Sequence, residues 1–374
     1  MTRTKHNNRT RPLSIAVATV IAAVPVTAFA QSGGEVLVLE EVVVTAQKRD
    51  QSLQDVPAAV SAISGSQLQD FKLQDFSDLE ALTPGLVAEN LDARSGSISL
   101  RGIDYNPNSA AAQAVDAYWN DTPVSALGGG VFQQIFDLQR VEVLKGPQGT
   151  LQGRSSPAGA IILHTAKPDM EEVEGTLSAQ VTDNSGINTM AAISMPLVPG
   201  RLSSRIALVY DESDLDEAKN IVTGDKRSKE TAAGRVSLAW LAGDAVSVDF
   251  AYQYLDNESV DFNTLEGASL MDPTLPDLEA SDRKGIQVNN AEGDATYQRA
   301  SLQVAWELDR HKVDWLTGWS DVDSSVPQES LNSEGNQDLA ESQVQILEDK
   351  YDAWSQELRL SNTDGDTWEY LVGL

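Results

Sequence analysis

The chain has 374 residues and a formal net charge of −29, with 56 acidic against 27 basic side chains. So acidic a chain lacks the clustered Lys and Arg that nucleic-acid phosphates require. It contains no cysteine, which excludes disulfides, thiolate metal sites and cysteine nucleophiles.

Residues 1–30 read as a secretory signal peptide. Arg3, Lys5, Arg9 and Arg11 form its basic start, Leu13 to Val24 its apolar run, and Ala28-Phe29-Ala30 its cleavage site after Ala30. The apolar run is too short for a spanning helix, which needs about twenty residues. Residues 31–49 are a polar lead-in ending in EEVVVTAQKR. Val42, Val43, Val44 and Thr45 are β-branched and favour extended structure. On local grounds this run is equally an added strand for a partner's sheet edge or the first strand of the next domain.

Residues 50–170 read as an α+β unit. Ser64 and Ser66 are possible N-caps, Leu68, Phe71, Phe76 and Leu79 suit short helices, and Pro84-Gly85 ends the segment. Ile98 to Ile103, Gln139 to Gly146 and Gly159 to Thr165 read as strands. Between the last two lies a glycine-rich stretch that invites a phosphate-loop reading. A Walker loop needs a second glycine five positions on; from Gly146 that position is Leu151, and from Gly149 it is Arg154. The reading fails on spacing. His164 and His311 are far apart in the chain, and no Gly-x-Ser-x-Gly elbow occurs, so nothing supports a metal site or a catalytic triad. The chain is read as a non-enzyme without cofactor or metal.

From residue 171 to 374 a period-two alternation takes over. Val246, Val248, Phe250, Tyr252 and Tyr254 alternate with Ser247, Asp249, Ala251 and Gln253. Nine such strands are predicted, at 175–183, 187–197, 201–211, 230–241, 245–255, 297–308, 312–321, 351–361 and 367–374. The connections after the second, fourth, sixth and eighth are tight, while those at 212–229, 256–296 and 322–350 are long and acidic. Short turns at one end and long loops at the other mark an outer-membrane barrel rather than a soluble sandwich. Tyr210, Trp240, Tyr254 and Trp319 suit interfacial girdles. The acidic loops read as solvated, cross-bridged to lipopolysaccharide by divalent cations.

Taken together the chain resembles a TonB-dependent outer-membrane receptor. Glu41-Val42-Val43-Val44-Thr45-Ala46 resembles the TonB box. QSLQDVPAAVSAISGSQLQD, LTPGL, ISLRGI and FDLQRVEVLKGPQGTLQGRSSPAGAIILHTAKP resemble successive plug segments. The resemblance implies an α+β plug followed by antiparallel transmembrane strands, about nine here of the 22 the family's barrels have. It also implies TonB and outer-membrane lipid as partners and uptake of a scarce ligand, above all a ferric siderophore or other iron complex. Cobalamin, haem or oligosaccharide uptake, or a non-transport role as adhesin or sensor, are the alternatives. Arg101 with Gly102, Arg140 and Glu142 fall in the plug motifs, and the three charges are read as locking plug to wall, against ordinary surface charge. Gly146, Gly149, Gly153 and Gly159 are expected to permit tight turns and positive φ, with Lys145 and Arg154 facing a polar lumen.

Two departures stand out. The family's "YVDGV" is here YWNDTPV, with Asn120 and Thr122 in place of an apolar residue and glycine. And nine strands cannot close around a plug of this size, so the sequence is expected to lack the C-terminal half of the barrel and not to transport by itself.

Overall fold

The computed structural model describes residues 43–45, 48–49, 51–73, 76–89, 97–105, 114–124, 134–154, 156–183, 185–221, 223–261, 284–285, 291–330, 343–363 and 368–374. Residues 1–30, read above as a signal peptide, and Glu41, Val42 and Ala46 lie outside them.

A five-stranded mixed sheet forms the core of the plug. Its strands are β3 (Val60–Ser64), β7 (Val115–Trp119), β8 (Thr122–Val124), β9 (Leu138–Lys145) and β10 (Gly159–Thr165), in the order β3-β9-β10-β7-β8. β10 lies between antiparallel β9 and parallel β7, and every residue of GAIILHT is buried. That is why it reads as a continuous apolar run rather than an alternation. One face of the sheet, carrying Val141, Val143, Ile161 and Leu163, packs against Leu68, Phe76, Leu79 and Leu100. The other face, carrying Tyr118, Leu144, Ala160 and Ile162, receives Val44 and Val56.

Helix α1 (Gly65–Asp70) starts as its sequence dictates. Ser64 accepts from the Gln67 N–H, and the Gln67 side chain accepts from the Ser64 N–H, forming a capping box. Phe71 ends up largely exposed at the helix C-terminus, while Phe76 and Leu79 are buried on a 3₁₀ turn over Phe76–Leu82. ISLRGI is not one strand. It breaks at Arg101 and Gly102, both at positive φ (55° and 76°), into β5 (Ser97–Leu100) and β6 (Ile103–Tyr105), joined by a two-residue turn. With β4 (Leu86–Glu89) these form a three-stranded sheet.

In the glycine-rich stretch, Gly146 (φ 105°), Gly153 (φ 70°) and Gly159 (φ 151°) adopt positive φ. Gly149 does not: it opens a short helix, α2 (Gly149–Gln152), which Gly153 terminates in the left-handed conformation. Gly159 is fixed by space as well, since a Cβ there would lie 2.1 Å from the Leu144 carbonyl oxygen. The segment that departs at Asn120 and Thr122 keeps a tight turn. Asn120 and Asp121 sit at positive φ (48° and 62°) in a two-residue hairpin, and Thr122 opens β8 after it. Asn and Asp tolerate this region better than other non-glycine residues, so the turn forms without glycine.

Beyond the plug, nine consecutive antiparallel strands form one continuous wall. They are β11 (Glu174–Val181), β12 (Ile187–Val198), β13 (Leu202–Asn220), β14 (Lys226–Leu241), β15 (Val246–Asp261), β17 (Ala291–Glu307), β18 (His311–Ser330), β19 (Gln343–Asn362) and β20 (Leu371–Gly373). The short β16 (Lys284–Gly285) pairs in parallel with β13 off this path. The alternation is inside-out. Val236, Trp240 and Trp354 are 42%, 49% and 68% exposed, whereas Arg235, of opposite parity to Val236 and Trp240 on β14, is 2% exposed. A soluble sandwich buries its apolar face; this wall exposes it and turns its polar face to the plug, as a lipid-facing barrel must.

The strands run well past the predicted ends. The 212–229 connection shrinks to residues 221–225, because β13 and β14 stay paired to Asp214–Ser228 and meet again at Lys219–Lys226. Backbone ladder bonds need no apolar pattern, so strand continues where alternation has stopped. The last strand is shorter than expected, confined to Leu371–Gly373 against Arg359–Ser361.

Candidate functional site

The short segment before the plug is bound at both its ends. Strand β1 (Val43–Val44) pairs antiparallel with β2 (Gln51–Ser52), and a turn closed by Lys48 N–H donating to the Thr45 carbonyl at 2.7 Å reverses the chain between them. Val44 is fully buried in the apolar patch of Val56, Tyr118, Leu144 and Ile162.

Next to that patch the same sheet face becomes polar. Period two places Arg140, Glu142 and Leu144 on one side of β9, and Ile162 and His164 beside them on β10. Thr45 settles on the polar end. Its N–H and its hydroxyl donate to Glu142 Oε1 at 2.9 and 3.2 Å, and Arg140 Nε donates to the same oxygen at 2.7 Å. Arg140 Nη2 donates to Thr45 Oγ1 at 3.1 Å, and His164 Nε2 lies 3.2 Å from both oxygens. Burial by itself raises the Glu142 carboxyl. The hydrogen bonds and charge of His164, the Thr45 N–H and Arg140 outweigh it and hold the group down at about 2.

Lys48 and Arg49 tie the segment to the wall. Lys48 sits at φ 62° with its side chain 1% exposed, its ammonium 3.8 Å from Asp121, 4.0 Å from Glu357 of β19 and 5.5 Å above the Tyr118 ring. Burial pushes this ammonium below its ordinary pKa, against the pull of Asp121. Arg49 donates to the Tyr370 carbonyl at 2.6 Å, to Asn362 Oδ1 at 3.3 Å and to Glu369 at 3.2 Å. These partners belong to the β19–β20 connection, at the end of the wall where the tight turns lie. Between segment and wall a cleft of about 610 Å³ remains, bordered by Thr45, Arg140, His164, Ser237, Ser301 and Arg359.

The expected plug–wall lock is built from other residues. Arg101 stands exposed in its turn beside Gly146, and Arg140 and Glu142 pair with each other and with Thr45 inside the plug. Arg154 is exposed, and Lys145 is half-buried, its ammonium lowered by burial and by Arg101. The wall supplies the arginines instead. Arg205 of β13 grips Asp137 through Nε and Nη2, at 3.0 Å to Oδ2 and 2.5 Å to Oδ1. Arg235 of β14 donates to the Phe136 and Asp137 carbonyls at 2.6 and 3.0 Å and lies 4.4 Å from the Phe136 ring. Arg299 of β17 stands 5.8 Å from the Trp119 ring. Asn120 donates to Ser301 at 3.3 Å, and Gly318 makes room for Thr122. The strand parity was the available signal: Arg205, Arg235 and Arg299 all fall on the polar side of the alternation.

Residues 52–160 match the family model "TonB-dependent Receptor Plug Domain". The chain is 33% identical over 210 residues to the pesticin receptor of Yersinia pestis, covering 52% of this chain and 29% of the relative. It is 32% identical over 142 residues to the vitamin B12 transporter BtuB of Vibrio vulnificus, covering 37% of this chain and 22% of the relative. Its fold superposes on the ferric yersiniabactin uptake receptor FyuA of Yersinia pestis with a TM-score of 0.71 at 22% identity, over 84% of this chain and 47% of that one. The chain therefore spans less than half the length of the relatives it matches. Residues 52–160 therefore form a plug domain of the TonB-dependent receptors, and the wall around it shares the fold of the solved receptor on which it superposes.

Proposed function

We propose that the protein is an outer-membrane receptor that imports a scarce ligand, a ferric siderophore or another iron complex, with energy delivered through TonB. The reading rests chiefly on where Val43–Thr45 sits. An extended β-branched segment lies at the tight-turn end of the wall, fastened to the plug sheet on one side and followed directly by the wall contacts of Lys48 and Arg49. A TonB strand adding to Glu41–Ala46 would pull on both. In this reading residues 1–30 are removed after Ala30, 31–49 reach into the periplasm, 50–170 are the plug and 171–374 belong to the barrel. The exposed apolar face of the wall meets lipid, and the acidic far end meets lipopolysaccharide. No catalytic role, cofactor or nucleic-acid partner enters it.

Iron is favoured by relatives named for ferric yersiniabactin uptake and for iron regulation in the outer membrane; the B12 transporter keeps cobalamin as the second reading. The test is uptake of a radio-iron-loaded siderophore by cells relying on a whole receptor that contains this sequence. Val44→Pro removes a strand hydrogen bond and is expected to abolish uptake while surface binding of the ligand persists. Uptake that survives this substitution refutes energised import. Competition by cobalamin and not by siderophore would move the assignment to the second reading.

A further inference from the structure

Glu142 presents an unusual arrangement for a buried carboxylate. Three donor hydrogens and an imidazole nitrogen crowd one oxygen, Oε1, while Oε2 is buried with no hydrogen-bond partner among the described residues. Two of the three hydrogens come from Thr45, which lies 97 positions earlier in the chain and outside the plug sheet. Arg140 and His164 flank the carboxylate on its own sheet face and point its acceptor at Thr45.

The next anchor along the segment is of the opposite kind. Lys48 is a non-glycine residue at φ 62°, and its buried ammonium has carboxylates only at ion-pair distance, 3.8 and 4.0 Å. Backbone in this region and an imperfectly paired buried charge both cost free energy. Thr45 and Val44 therefore carry the hold on the segment, and the long ion pairs of Lys48 to Asp121 and Glu357 are offset by its burial and backbone.

We infer that Glu142, aimed by Arg140 and His164, is a latch that holds residues 43–45 on the plug and sets how often they come free. Docking itself does not depend on TonB; only the use of the released segment rests on the function proposed above. When the Thr45–Glu142 bonds break, Val44 leaves its apolar pocket and Lys48 returns to water, so the segment goes from docked to free in one step. The latch also explains why a strand with the text VEV carries a charge on the face that packs against Val44.

The experiment reads docking directly. In the purified full chain in detergent micelles, a thiol introduced by Val44→Cys is expected to react slowly with a maleimide. Adding Thr45→Pro removes both donors without touching the plug core, and is expected to raise the labelling rate about tenfold or more, as lost bonds to a charged acceptor should. Glu142→Gln keeps an acceptor but loses the charge, and is expected to raise the rate less. Arg49→Gln removes contacts to the wall alone and is expected to leave the rate unchanged. Equal rates with and without Thr45→Pro overturn the latch, as does an equal rise from Arg49→Gln. Because Thr45 lies outside the plug sheet, Thr45→Pro decides the matter even if Glu142→Gln fails to fold. Capture by a purified TonB C-terminal domain is measured separately. Capture is read on Glu142→Gln with Val44 and Thr45 intact, and faster labelling from that substitution without capture upholds the latch and refutes the TonB reading.

Discussion

Arg205 and Asp137 meet across the plug–wall boundary as a forked ion pair, with side chains 8% and 5% exposed. Removing Asp137 leaves the buried Arg205 with the largely exposed Glu174 at 3.3 Å and with Ser194, and costs up to about 3–5 kcal/mol. Asp137→Ala is therefore expected to loosen the plug at its junction with β9, while Arg235, which holds main-chain carbonyls there, keeps its contacts. Hydrogen exchange is the measurement: amides around Phe136 to Leu138 should exchange at least a hundredfold faster, and amides of β10 should not.

Gly318 faces Thr122 so closely that a Cβ would lie 2.6 Å from the Thr122 Cβ and 2.7 Å from Ser355 Oγ. Gly318→Val overpacks this contact and is expected to cost about 1–3 kcal/mol. Thr122→Gly in the same chain, which removes that Cβ, should recover part of the loss, as a double-mutant cycle on thermal unfolding would reveal. Additive losses would mean that the two residues do not touch.

The pH response of the docked segment follows from Glu142. Its carboxyl is held at about 2 in the folded chain, against an ordinary value of 4.5. A depressed acid stabilises the docked form fully above the higher value and loses that contribution as pH falls through the lower one. Because the thiolate is the nucleophile, labelling of the Val44→Cys thiol is divided by that of a free thiol at the same pH, and this ratio should rise as pH drops from about 4.5 towards 2. In Glu142→Gln the rise should be absent.

Val236 lies on the exposed apolar face of β14 between Trp240 and the plug-facing Arg235. On a lipid-facing site an arginine costs about 2–4 kcal/mol near the bilayer midplane. On a water-facing site it would change stability by about 0.5 kcal/mol or less. Val236→Arg in lipid vesicles, followed by the heat-dependent shift in gel migration, separates the two.

The wall was the most legible part. Each of its nine strands announces itself by alternation, because one face must be apolar for lipid and the other polar for the plug. The upper halves of β13, β18 and β19 were not legible, because ladder hydrogen bonds hold them without any side-chain pattern. In the plug, the Ser64–Gln67 capping box and the buried run of β10 could be read from local chemistry. Its contacts could not. Parity places Arg140 and Glu142 on one side of β9, but it does not say whether that side meets the wall or the chain's own N-terminal segment. Asp137, the residue that does meet the wall, sits in an irregular position at φ 49° just before β9, where no periodicity operates. Gly149 illustrates a smaller limit: a glycine among left-handed glycines is not thereby left-handed.

The extended strands of the wall change what a visitor to its far end would encounter. Strand β13 has 19 residues, roughly 60 Å of chain at about 3.3 Å each, of which a lipid band about 25 Å tall accounts for only part even when strands tilt by about 40°. The remainder stands clear of the membrane as ladder rather than loop. Along it Glu212, Glu230, Glu258 and Asp294 occupy one cross-strand row. Neighbouring strands are about 4.8 Å apart, so these carboxylates keep fixed spacings instead of averaging over a mobile chain. These carboxylates share the parity of Val236 and Trp240, so the row lies on the outer face of the wall, a stiff and regularly spaced line of negative charge beyond the lipid band.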